Sequence, residues 1–290
     1  MTATDKLLPD ALKDLWAAVD DQHFTSDQFY GEQQRLLEVH RQLWREALIL
    51  NGWATLRESL ARELGDYVGC DDPDELERRC GIGWKTVEDE WHERVDPSPS
   101  PRAIEQFYDR TLGYLYNLIW WHTLVEDETP LAYVVALRFA QQHRCRRYLD
   151  FGAGISSGAI LFARHGFEVA SADISSSLLE FSAWRFAQRG IAARTIDLKE
   201  CPMPAESFDL ITAMDVFEHL VDGAAAVDQI ADALAPGGFL YGRFAAEDND
   251  VRPQHIAHDF ESVYRRLRER GLHQVWEDAW LWGHQVFQKR

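Results

Sequence analysis

The spacing of apolar positions changes character near residue 145. Before it the pattern repeats at helical intervals and carries almost no strand signal. Leu36, Val39 and Leu43 form one row, and Leu37, Trp44 and Leu48 form a second row beside it. Asn51 and Gly52 offer a left-handed stop for that helix. Residues 53–64 read as the next helix, ended by Gly65, and Asp71-Asp72-Pro73 sets acids ahead of a proline where a further helix begins. Residues 96–101, Asp-Pro-Ser-Pro-Ser-Pro, read as an extended linker. One long aromatic helix is expected over 103–124, a break over 126–130, and another helix over 131–143.

From Arg146 onward short apolar runs alternate with amphipathic ones. Strands are expected at 147–150, 167–172, 192–196, 208–213 and 239–244, with helices at 156–165, 175–188, 224–234 and 260–270. Strand and helix in alternation mean a mainly parallel sheet covered on both faces. Two runs at 272–276 and 283–288 follow with no crossover helix between them, so they pair antiparallel. The predicted fold is α/β: a doubly wound, Rossmann-like, seven-stranded sheet with its last strand antiparallel, behind an N-terminal helical cap. The division falls between residues 1–125 and 126–290.

Composition narrows the partners. Apolar residues make up 46% and charged residues 27% of the 290, enough for a sizeable core. Asp and Glu total 48 against 30 Lys and Arg, a net charge of −18. That surface repels phosphate backbones and anionic lipid, so neither nucleic acid nor membrane is expected as a partner. The longest apolar stretch, around 115–125, contains Asn117 and His122 and is too short to span a bilayer. The first residues lack the apolar core of a signal peptide. Cys70, Cys80, Cys145 and Cys201 match no metal-binding spacing and read as reduced thiols of a cytoplasmic protein. Oligomeric state leaves no mark on the sequence.

The chemistry concentrates at the first strand–helix turn, Leu149-Asp150-Phe151-Gly152-Ala153-Gly154. Its glycines allow a tight turn and close approach of a ligand to backbone, and the following helix aims its positive end at the same place. Asp173, at the end of the second strand, stands where a carboxylate accepts from two ribose hydroxyls. A nicotinamide fingerprint needs its third glycine one place earlier than Gly158, and Asp150 would repel a pyrophosphate; an amino-acid tail suits it better.

Here the chain resembles the class I S-adenosylmethionine-dependent methyltransferases, over roughly residues 130–290. The resemblance rests on the LDFGAG turn, Asp173, Asp197 after the third strand, Asp215 in FDLITAMDVFEHL, and Ala235-Pro236-Gly237-Gly238. The last two segments are most similar to small-molecule methyltransferases such as the ubiquinone-biosynthesis O-methyltransferases. The resemblance implies S-adenosylmethionine as cofactor, S-adenosylhomocysteine as product and a small-molecule acceptor. It places Gly152, Ala153 and Gly154 under the methionine and ribose, Asp150 at the amino group, Asp173 with Ile174 at the ribose, and Asp197 with Leu198 at the adenine. Asp215 would line the floor where methionine meets acceptor. A cofactor-binding scaffold without turnover and a nicotinamide-dependent oxidoreductase are the alternatives.

Methyl transfer asks for alignment, exclusion of water and sometimes a base. His219, after the fourth strand, and His255 and His258, after the fifth, are the candidate bases. With Glu218 the same histidines are compatible with a divalent ion, but no spacing signature supports one, and no metal is expected. Tyr108 and Tyr114 are the expected aromatic roof over the cofactor.

Overall fold

A computed structural model describes residues 6–20, 25–50, 52–96, 100–245 and 252–290. Among the described residues, eight helices fall within 1–125: α1 (Ala11–Asp20), α2 (Ser26–Leu36), α3 (Glu38–Leu48), α4 (Leu56–Val68), α5 (Pro73–Gly81), α6 (Gly83–Arg94), α7 (Pro101–Arg110) and α8 (Gly113–Trp121). A short 3₁₀ turn at Thr129–Leu131 leads into α9 (Ala132–Gln142). The alternating part runs β1 (Arg147–Phe151), α10 (Ser157–Arg164), β2 (Glu168–Asp173), α11 (Ser176–Gln188), β3 (Ala193–Asp197) and β4 (Phe208–Ala213). It continues through α12 (Gly223–Ala233), β5 (Leu234–Gly242), α13 (Glu261–Glu269), β6 (Leu272–Glu277) and β7 (Gln285–Lys289).

The seven strands lie in the order β3-β2-β1-β4-β5-β7-β6. The first five are mutually parallel; β7 inserts between β5 and β6 and runs antiparallel to both. This is the expected fold class, with the last strand reversed. Alternation along each strand divides the core in two. Tyr148, Leu210, Phe239, Tyr241 and Val286 join one cluster with α9 and α10. Leu149, Phe151, Ile211, Leu240 and Phe287 join the other with α12 and α13. The N-terminal helices extend the first cluster, through Trp44, Leu48, Leu60, Phe107 and Ile119.

Three local expectations change. The helix expected over 103–124 is two helices, because Thr111 adopts an extended backbone and its hydroxyl donates to Glu90. The break turns α8 onto α6, where a Cβ on Gly83 would meet the Asn117 backbone nitrogen at 2.6 Å. The helix expected over 53–64 instead spans Leu56–Val68, started by the Thr55 side chain and stopped by left-handed Gly69 rather than Gly65. Of the two rows near residue 40, Leu37, Trp44 and Leu48 are buried, Leu36 and Leu43 pack partly buried against the same core, and Val39 is 63% exposed, so the first row lies at the edge of the buried face. Pro101 starts α7 behind the Ser100 cap; residues 97–99 of the expected linker, and Asn51, lie outside the described residues. All four cysteines are free, and among the described residues no helix is long and apolar enough to cross a membrane.

Candidate active site

The carboxyl ends of β1 to β5 form one edge, and the site is assembled along it. At β1, Asp150 stands in register with Thr212 of β4 and Ser171 of β2. Its Oδ1 accepts from the Tyr133 hydroxyl at 3.1 Å and the Thr212 hydroxyl at 3.0 Å, and Thr212 also meets the Tyr148 hydroxyl at 2.6 Å. Its Oδ2 is buried and has no hydrogen-bond partner. Burial pushes the Asp150 carboxyl up to about 7, against the pull of the Thr212 and Tyr133 hydroxyls and of the Ala159 amide in the first turn of α10.

The turn that follows has Gly152 at φ +66°, Gly154 at +52° and Ser156 at +57°. The Gly152 and Ala153 amides donate to the Ala172 carbonyl, at 2.8 and 3.1 Å. A Cβ on Gly152 would strike Val216 at 2.6 Å, and one on Gly154 would strike Leu118 at 2.8 Å. Only glycine leaves this turn open while α8 and the segment after β4 close over it.

Asp173 is buried, and its two oxygens accept from the Gly154 amide at 2.8 Å and the Ser175 amide at 2.9 Å. Burial still raises its pKa above the usual carboxylate range. Beside it in register, Asp197 accepts from the Lys199 amide and ammonium at 2.9 and 3.1 Å and from the Ser176 hydroxyl at 3.2 Å. Lys199 also donates to the Ile174 carbonyl and reaches Asp109 of α7 at 3.0 Å. The Leu198 amide donates to the Asp173 carbonyl at 3.0 Å.

The other end of the edge is built differently. Asp215, left-handed at φ +49°, pairs with Arg243 at 3.0 Å. The Glu218 carbonyl accepts from the amides of Ile256 and Ala257, at 2.8 and 3.0 Å, which pins the loop after β5 against the segment after β4. His219 and His255 are thereby brought edge to face, ring centres 4.7 Å apart. Tyr108 meets His219 Nδ1 at 2.9 Å and donates to the Gln254 carbonyl at 3.2 Å, while Nδ1 itself lies 3.1 Å from that carbonyl. With Nδ1–H donating there, the imidazole lone pair resides on Nε2. Tyr114 stacks on Tyr108 at 5.6 Å. Glu218 Oε2, His255 Nδ1, Gln254 Oε1 and the Tyr114 hydroxyl are buried without a partner. One ligand atom from each of Glu218, His219 and His255 lies within 4.8 Å of the others. Burial, reinforced by the Asp215 charge, raises Glu218 to about 8; burial lowers His219 to about 4 and His255 to about 3.

The structure thus gathers the expected site residues along one edge with one exception. His258 is exposed and stands outside the Glu218–His219–His255 group. Tyr133, Thr212, Gln254 and Arg243 were not legible as site residues. Thr212 left a trace: it is a hydroxyl among the apolar Leu210, Ile211 and Ala213 of β4. The donor set suits an adenosine cofactor with an amino-acid tail. An acid with an unpartnered oxygen stands at the turn, the turn has no room for a Cβ, and a second acid follows β2.

A family model described as a methyltransferase domain matches residues 124–282, more than half of the chain. Among curated proteins the chain is similar to a ubiquinone biosynthesis O-methyltransferase of Parvibaculum lavamentivorans, 26% identical over 59% of this chain and 61% of that protein. It is also similar to the enzyme of the same name from Alkalilimnicola ehrlichii, 32% identical over 42% of this chain and 52% of that one. The matches therefore span about half to three fifths of these relatives. A solved structure, the YcgJ protein of Bacillus subtilis, is 23% identical over 51% of this chain and 72% of its own, with a TM-score of 0.42. By its match to the methyltransferase-domain model, this chain belongs to the methyltransferase family.

Proposed function

We propose that this chain transfers a methyl group from S-adenosylmethionine to a small-molecule acceptor, and that residues 1–125 act as the cap that closes the site. The observation that carries the reading is the adjacency, on one sheet edge, of a glycine turn flanked by Asp150 and Asp173 and a group made of buried Glu218 and His255 with half-buried Tyr108 and His219. When bound, the cofactor supplies an electrophilic methyl on a sulfonium. Asp150 is placed to receive the amino group on its unpartnered Oδ2, Asp173 to receive ribose hydroxyls, and Ile174, Asp197 and Leu198 to flank the base. Asp215 borders the reacting end, and Tyr108 and Tyr114 screen it from water. His219, neutral at physiological pH, takes the acceptor's proton at Nε2 while Tyr108 and the Gln254 carbonyl fix the other side of the ring. Similarity to the ubiquinone biosynthesis O-methyltransferases favours an oxygen acceptor. The net charge of −18 favours neither nucleic acid nor membrane as partner, and a cytoplasmic setting fits the four free cysteines.

The test is calorimetric titration with S-adenosylhomocysteine and with NAD, followed by transfer of labelled methyl to a panel of phenols and catechols. Binding of S-adenosylhomocysteine with turnover of a panel member is expected. Binding with no transfer would favour the silent scaffold, and binding of NAD alone would favour the oxidoreductase.

One observation favours a second reading of the same residues. Glu218, His219 and His255 bring a carboxyl group and two neutral imidazoles within 4.8 Å of one another, and a divalent ion that displaced the Glu218 proton would find there a donor set that suits zinc. Such an ion would polarise the acceptor oxygen. Elemental analysis of the purified protein, and a rise in Tm on adding zinc or magnesium, would establish it; loss of activity with chelator and return with metal would tie it to turnover.

A further inference from the structure

The helical region reaches the cofactor turn through a buried charge cluster that the mechanism above does not use. Arg185 of α11 is fully buried. Its guanidinium donates to the Ile155 carbonyl at 2.5 Å, in the turn between β1 and α10, and to the Ser157 hydroxyl at 2.9 Å, at the first residue of α10. Its other nitrogen pairs at 3.1 Å with Glu63 of α4, which is also fully buried. One helical turn later, Arg189 pairs with the same carboxylate and donates to the Leu48 carbonyl at 2.9 Å. The two arginines hold Glu63 ionised: desolvation pushes its pKa up, and the charges and hydrogen bonds of both arginines pull it below the usual value.

A guanidinium taken fully out of water costs several kcal/mol unless a counterion and hydrogen-bond acceptors meet it. Apolar packing would fill this place at less risk, so the geometry of the turn is where the charge has its use. Ser182 of the same helix donates to the Gly154 carbonyl at 3.1 Å and accepts from the Ser156 hydroxyl at 2.8 Å. The carbonyls of Gly154 and Ile155 are thus both drawn onto α11. In a planar trans peptide the N–H points opposite to the C=O. Holding the Gly154 carbonyl on α11 therefore turns the Ile155 amide to the other side of the turn. Ser156 sits at φ +57°, a left-handed conformation that costs a residue with a Cβ about 1 kcal/mol or more and persists only where surrounding bonds enforce it.

We infer that Arg185 is a positioning residue for the cofactor turn and that Glu63, from the N-terminal helices, is the counterion that allows it to be there. Cofactor affinity then depends on residues 1–125, and not only acceptor binding or closure. The inference rests on the reading of this turn as the S-adenosylmethionine site.

The test measures the Kd for S-adenosylhomocysteine and the Tm of the full chain and of Arg185→Lys, Arg185→Met, Glu63→Gln and Ser182→Ala. All titrations are made at least 10 °C below the lowest Tm. Leu60→Ala serves as the control: this fully buried α4 residue lowers stability but, being apolar, removes no hydrogen bond or charge of the cluster or the turn. A role confined to stability moves Tm but leaves the Kd of the folded molecules unchanged. The inference expects a Kd raised about tenfold or more in Arg185→Met and Glu63→Gln, the range for losing a hydrogen bond to a charged group. It expects a smaller rise in Arg185→Lys, which keeps the charge, and a few-fold rise in Ser182→Ala. Leu60→Ala should leave Kd at the parent value. Ser182→Ala removes no buried charge, so it decides the matter should the other variants not fold. Parent-like Kd values in every folded variant of the cluster, against tight binding by the parent, would overturn the inference alone. No binding by the parent would overturn the cofactor reading and the inference with it.

Discussion

The two ends of the sheet edge handle polar groups in opposite ways. At the β2–β3 end the carboxylates are answered within the protein: Asp173 by two backbone amides, Asp197 by Lys199 and Ser176. At the β4–β5 end Glu218, His255, Gln254 and Tyr114 each keep a buried atom without a partner. Buried polar atoms in native proteins are nearly always satisfied, and unsatisfied ones call for an explanation. The first end is shaped in advance and selects by fit. The second end carries unmet hydrogen-bonding capacity, which is what a reacting group or a metal ion would satisfy. Asp150 belongs to both, with one oxygen held by Tyr133 and Thr212 and the other unpartnered.

The largest effect should come from the unsatisfied end. His219→Ala is expected to lower the rate of methyl transfer by about 10²–10⁴ while leaving the Kd for S-adenosylhomocysteine within twofold, as for the loss of a positioned base. A variant that lost cofactor affinity as steeply as rate would erase the distinction between the two ends.

At the preformed end Asp173→Ala should weaken S-adenosylhomocysteine binding by about 1–3 kcal/mol, the cost of removing a buried hydrogen-bond partner. Isothermal titration reads this directly. The Gly154 and Ser175 amides lose their acceptor as well, so Tm should fall with it. Unchanged affinity would mean that Asp173 only caps backbone.

The same contrast explains what the sequence made legible. The glycine turn, Asp173, Asp197 and the strand–helix alternation follow from local rules, because backbone conformation and periodicity are local. The reversal of β7 was anticipated from two runs with no helix between them; its insertion between β5 and β6 was not. The Tyr108–His219–Gln254 contact joins residues 111 and 146 positions from Tyr108 and leaves no periodic trace. His255 and His258 looked alike in sequence, three residues apart on one loop. Only the pinning of Ile256 and Ala257 to the Glu218 carbonyl turns one inward and leaves the other exposed. The split of the aromatic helix at Thr111 depended on Glu90, a partner no local pattern reveals.

Asp150 offers a pH test of its divided state. Tyr133 from α9, Tyr148 on β1, Thr212 on β4 and the Asp173 charge on β2 surround it. Its folded pKa, about 7, is raised above the ordinary carboxylate value, so the folded state holds a proton that the unfolded chain has released. Stability should therefore decline as pH rises from about 4 to about 7 and level off above that. Asp150→Asn removes this decline, so its Tm relative to the parent should be higher at pH 8 than at pH 5. Cofactor binding reverses the preference, since an ammonium beside Oδ2 favours the ionised form. S-adenosylhomocysteine should release protons from the parent near pH 6.5 and not from the variant, which calorimetry in buffers of different ionisation enthalpy would detect.

The smallest effect tests whether the cap is joined to the cofactor end at the surface as well as through the buried arginines. Asp109 of α7 accepts from the Ser176 amide in the first turn of α11 at 3.0 Å and pairs with Lys199 at the same distance. A carboxylate at a helix N-terminus and a partly exposed ion pair are each worth about 0.3–1 kcal/mol. Asp109→Ala should thus cost about 1 kcal/mol of stability at neutral pH. The amide and the ammonium hold the Asp109 pKa below the ordinary value, so the contribution is present above the unfolded carboxylate pKa and is lost as pH falls through the lower folded one. The Tm gap between parent and variant should close in acid. Both groups lie outside the glycine turn, so the Kd for S-adenosylhomocysteine should stay within twofold. A tenfold loss would place the coupling of cap to cofactor at this surface pair rather than at Glu63 and Arg185.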